Sequence, residues 1–137
     1  MLPVTPDYFT LSYRPEEDVL VARWMRPVSL EEMCEGYLLL REAATTCRCR
    51  QWLIDARRRY NTHREGAHWM LTEFLPTLYP RLGGRTRLAY VLAPVLMRDA
   101  EADAAFPPAS YFDDKPFAGA QFTDERAALE WLQQGRA

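Results

Sequence analysis

"QWLIDARRRYNTHREG", Gln51–Gly66, holds the change from a buried strand to a helix. Trp52, Leu53 and Ile54 form an apolar run bounded by Gln51 and Asp55. A short run that is apolar on both sides of the pleat suits a strand covered on both faces. Downstream, Thr62 with Glu65 three residues on has the form of a capping box. Ala67, Met70, Leu71, Phe74, Leu75 and Leu78 then recur at helical spacing, with Pro76 opposite that face. A buried strand feeding an amphipathic helix is half of a crossover unit, so at least part of the sheet is expected to be parallel. Between strand and helix lie three arginines, Arg57, Arg58 and Arg59, which make this either a site or a solvated loop.

The same reading extends in both directions. "YFTLSY" (8–13) and "DVLVARW" (18–24) are rich in aromatic and β-branched residues and flank "RPEED", which predicts a hairpin. Ser29 and Glu32 form a capping box for a helix carrying Leu30, Met33, Cys34, Tyr37, Leu40 and Ala44, ending near Thr45–Cys47. Arg41 falls among the apolar positions of that helix and is read as snorkelling at the sheet edge. Gly83 and Gly84 close the second helix, and "RLAYVLAP" (87–94) is a second buried strand. Residues 97–119 read as loop-like. A last strand ends at Phe122, and a capped helix from Asp124 ends at Gly135. The expected fold is a single α/β domain over 1–137, with a mixed central sheet, an N-terminal hairpin as its antiparallel edge and flanking helices.

With 48% apolar and 26% charged residues in 137, the chain has the composition of an ordinary globular domain able to bury a core. A net charge of −2 gives no whole-molecule attraction to nucleic acid. Charge is nevertheless uneven, because 12 of the 16 arginines lie between Arg23 and Arg87. No stretch approaches the roughly 20 apolar residues of a membrane span, and the N-terminus lacks the pattern of a signal peptide. Cys34, Cys47 and Cys49 have no framework spacing, so free thiols in a reducing, cytoplasmic compartment are expected. Neither His63 nor His68 has metal-ligand spacing to a cysteine; no metal and no cofactor are expected.

The hairpin, the alternating strands and helices and the closing "QFTDERAALEWL" together resemble the SpoIIAA-like fold shared by STAS domains, in particular a bacterial branch of small STAS-like proteins of unclear function. The resemblance spans nearly the whole chain in topology. Anti-sigma factor antagonists of that family carry a signature that begins with an aspartate and ends in two hydroxyl residues and a glycine at the helix start. Asp55 and Gly66 match its ends, while Arg64 and Glu65 occupy the hydroxyl positions. Thr62 is the nearest hydroxyl, so the resemblance implies the fold without the family's phosphorylation switch.

Two readings of the arginine segment stand side by side. In one, Arg57, Arg58, Arg59, Thr62 and Arg64 bind a small anion where a strand's carboxyl end meets a helix start. In the other they are solvated charge, with Arg64 pairing Glu65 or Glu73. Asp55 is read as a ligand of backbone N–H groups at the strand end rather than a general base, since no serine, cysteine or histidine adjoins it. Trp69 is placed on the outer side of the second helix beside Glu73, an interface pair suited to a homodimer or another protein; the other reading covers it with the 97–119 segment.

The expected function is a non-enzymatic regulatory or binding module acting through protein contacts, without nucleic acid. The alternative is a carrier of an apolar ligand, since the superfamily resembles lipid-binding CRAL-TRIO domains and the aromatic 106–117 segment could lid a cavity.

Overall fold

The computed structural model describes residues 2–59, 64–94 and 107–134. Strands β1 (Phe9–Arg14) and β2 (Val19–Trp24) form the expected antiparallel hairpin, with Phe9 opposite Trp24. Helix α1 (Leu30–Cys47) leads to β3 (Gln51–Asp55). A continuous helical segment then runs from Arg64 to Leu82, and β4 (Thr86–Val91), β5 (Phe117–Phe122) and the C-terminal helix follow. The five strands lie in sequence order, and every pairing after the first is parallel.

Local chemistry accounts for the element ends. The Ser29–Glu32 capping box is formed in both directions, and Arg48 in the left-handed conformation closes α1. Gly83, at φ 70°, takes the same role after Leu82, a geometry that costs glycine nothing. The C-terminal helix, α4 (Glu125–Gln134), starts from Asp124, whose carboxylate accepts from the Ala127 N–H at 2.8 Å. The expected closure by Gly135 lies outside the described residues.

Strands that step steadily across a sheet with right-handed crossovers keep their helices on one face. Accordingly α1 and the 64–82 segment share a face, packing Tyr37, Leu40, Phe74 and Leu78 on Trp24, Trp52, Ile54 and Leu88. The 3₁₀ turn Ala109–Phe112 adds Phe112 to that layer. Helix α4 follows the last strand, is bound by no crossover, and covers the opposite face with Ala128 and Leu132 on Val21, Leu53, Ala89 and Val91. Strand β3 is therefore buried on both faces, as its apolar run requires.

Two expectations need correction. The 97–119 stretch is not loop throughout, because the turn at Ala109–Phe112 is helical and β5 begins at Phe117. The second helix is not a regular α-helix either. It runs as α2 (Arg64–Trp69), a π turn (Met70–Phe74), a 3₁₀ turn (Leu75–Thr77) holding Pro76, and α3 (Leu78–Leu82). A π turn places residues five apart on one side. Trp69 therefore does not face outward: it is half-buried, its ring 5.5 Å from Phe74 in a stacked arrangement and 6.3 Å from Tyr37. Glu73 does face solvent. The irregular segment is tied to α1 by Arg41, which donates to Thr77 Oγ1 at 3.0 Å, while Thr77 donates to the Phe74 carbonyl at 2.6 Å. The proline-broken backbone thus finds a side-chain partner.

Candidate functional site

Strand register builds the site. Arg23 on β2 and Asp55 on β3 are direct neighbours in the parallel ladder, on the α4 face. Arg23 Nη1 donates to Asp55 Oδ2 at 2.7 Å. The chain turns after Ala56, and Arg57 folds back: its backbone N–H, Nε and Nη2 reach the Asp55 carboxylate at 3.1, 2.9 and 2.8 Å. Glu125, in the first turn of α4, accepts from Arg23 and lies 3.5 Å from Arg57 Nη2. Arg14 stands 4.0 Å from the other Glu125 oxygen. Asp55 thus does bind a backbone N–H at the strand end, as its position suggests, and it also anchors two guanidinium groups.

Electrostatics follow from this packing. Burial alone would push the Asp55 carboxyl up. The hydrogen bonds from Arg57 and Arg23 outweigh burial and hold it below the ordinary carboxylate range. The bond to Glu125 raises Arg23, and the bond to Asp55 raises Arg57. Asp55 therefore stays ionised at neutral pH and is a poor general base.

The three arginines have three different settings. Arg57 is paired as described. Arg59 lies with its guanidinium carbon 4.9 Å from the centre of the Trp24 ring, a stacking that guanidinium groups favour. Arg58 is exposed and has no ion pair among the described residues. A cleft of about 350 Å³ opens beside them, lined by Arg23, Trp24, Met25, Asp55, Arg57 and Arg58. Arg23 uses one nitrogen for its bonds and Arg57 leaves Nη1 unused, so donors remain for a further acceptor. Trp24 is 1% exposed, and among the described residues neither its indole N–H nor the buried Nε of Arg59 has an acceptor.

Thr62 and the side chain of Arg64 lie outside what the structure describes, as do His63 and the expected Thr62–Glu65 capping box. Arg64 is the first residue of α2. His68 is exposed on the same short helix. Trp69 and Glu73 do not join the cleft: Trp69 belongs to the α1-side layer. Arg23, Arg14 and Glu125 were not singled out from sequence. Their part depends on strand register and on α4 returning across the sheet, and Glu125 sits 102 residues from Arg23.

Among the described residues, no group of three or more histidine, cysteine or carboxylate side chains is arranged to hold a metal. The aromatic segment after residue 106 does cover an apolar crevice, between Pro107, Phe112, Met70 and Tyr90, but the crevice measures about 20 Å³. That is room for one water, not an acyl chain. No described helix is long and apolar enough to cross a membrane. Comparison with protein-family models, curated proteins and solved structures found no match to this chain.

Proposed function

We propose that the chain is a non-enzymatic binding or regulatory module of SpoIIAA-like, STAS-like architecture, and that the cleft at the carboxyl ends of β2 and β3 takes an anionic group of a protein partner. The observation that carries this reading is the charge of the cleft. Three guanidinium groups and one carboxylate line it, and adding Glu125 still leaves three cations facing two anions. Asp55 and Glu125 hold Arg23 and Arg57 in place, which reduces the ordering cost of binding. Arg58 contributes an unpaired charge at the rim. Forked guanidinium donors match carboxylate and phosphate oxygens, and the carboxyl edge of parallel strands is where such folds present ligands. Among the described residues the lining offers guanidinium donors held by an ionised carboxylate, an arrangement suited to binding an anion.

Calorimetric titration of a phosphoserine peptide and its unphosphorylated counterpart tests the reading. The phosphorylated form should bind more tightly to the wild type. Arg58→Gln should weaken it by about tenfold, the value of one charge-assisted hydrogen bond. Equal affinity for the two peptides, or an unchanged affinity in the variant, contradicts the proposal.

A further inference from the structure

Helix α1 has a second face that the cleft does not involve. Its inner side buries Met33, Tyr37, Leu40, Ala43 and Ala44. On its outer side Leu30, Cys34 and Leu38 repeat every four residues, with Leu39 beside them, and Leu38 is 43% exposed. A shallow groove of about 600 Å³ follows this stripe, edged by Glu31, Glu35 and Glu42. None of the three carboxylates makes an ion pair among the described residues. Glu35 accepts a hydrogen bond from the Tyr8 hydroxyl at 2.9 Å and is held in place by it. Glu31 and Glu35 stand four residues apart, a like-charge spacing that disfavours a helix on its own, and the last turn of α1 has no basic residue.

We propose that the outer face of α1 docks a basic amphipathic helix from a partner protein. An apolar stripe one helix wide, rimmed by uncompensated negative charge, is complementary to a helix with apolar residues at i, i+4 and i+8 and lysines or arginines on its flanks. The same charge argues against the other occupants. Two copies meeting face to face about a two-fold axis would bring six carboxylates together, and an anionic lipid surface would be repelled. This surface is independent of the arginine cleft, which lies at the carboxyl edge of β2 and β3.

The probe is a synthetic Leu/Lys amphipathic peptide of about 18 residues, long enough to hold a helix, beside a scrambled peptide of the same composition. Added to the full chain, the amphipathic peptide should shift amides chiefly within residues 30–42, and the scrambled one should bind more weakly. Leu38→Ser, at an exposed position that leaves the core intact, should cost about tenfold in affinity. Glu31→Lys combined with Glu42→Lys should remove the salt dependence of binding. Shifts centred outside α1, equal binding of the scrambled peptide, or an affinity unchanged by Leu38→Ser overturns the proposal. So does self-association of the wild type that Leu38→Ser abolishes, because a second copy then occupies the face.

Discussion

Asp55 is the residue on which the site turns, and its environment sets a pH dependence. Its folded pKa lies below its unfolded value, since the bonds from Arg57 and Arg23 exceed the burial penalty. A carboxyl shifted downward stabilises the fold above its unfolded pKa of about 4 and loses that contribution as pH falls through the lower folded value. Asp55→Asn should therefore lower stability at pH 7 by roughly 1.5–3 kcal/mol, the range for hydrogen bonds to a charged group. It should also flatten the acid limb of a plot of thermal midpoint against pH below about pH 4. Some acid dependence should persist, because Glu32, held by Arg26 and Ser29, titrates at about 2. Parallel acid limbs for wild type and variant would contradict this account of Asp55. At this scale the sequence was informative about Asp55 and the arginines as residue types. It was silent about Arg23 and Glu125, because a ladder neighbour on another strand and a helix start 102 residues beyond Arg23 carry no local signal.

The elements are where sequence periodicity succeeded most, and the second helix is where it failed. The capping box at Ser29, the buried run at Trp52–Ile54 and the glycine stop at Gly83 are local signals, and each element formed where its signal stood. The second helix failed because a helical wheel assumes 3.6 residues per turn, and the π turn at Met70–Phe74 breaks that phase. Trp69 consequently stacks on Phe74, and a dimer built on its outward exposure loses its premise. Trp69→Glu should destabilise the domain by roughly 1–3 kcal/mol, less than the loss at a fully buried tryptophan. An unchanged denaturant midpoint would restore the outward placement. A second test concerns the contact between α1 and the sheet. A Cβ at Gly36 would clash with Trp24 Cη2. Trp24 packs against Phe9, Tyr37 and Arg59, so moving its ring disturbs those contacts. Gly36→Ala would gain about 1 kcal/mol of helix propensity but incur an overpacking cost of about 1–3 kcal/mol. Denaturant unfolding should show a net loss, and a stabilised variant would mean that the Trp24 ring can shift.

For the whole molecule, strand order decides what is reachable. Sequential parallel strands commit α1 and the 64–82 segment to one face and leave the other to α4 alone. That asymmetry brings Glu125 over the edge of β2 and β3 and aligns Arg23 and Arg57 around Asp55. The alternation of strands and helices was legible from sequence; the sharing of one carboxyl edge by residues from β2, β3 and α4 was not, since it needs the register and the return of the last helix. The central claim is that this edge binds anions. The most direct measurement is a titration of the full chain with inorganic phosphate, followed by amide chemical shifts at constant ionic strength, in wild type and Arg58→Gln. The largest saturable shifts should fall on residues 23–25 and 55–59 in the wild type and shrink in the variant. Shifts spread evenly over the surface, centred on other arginines such as Arg48, Arg50, Arg81 and Arg85, or unaltered by Arg58→Gln, would contradict it.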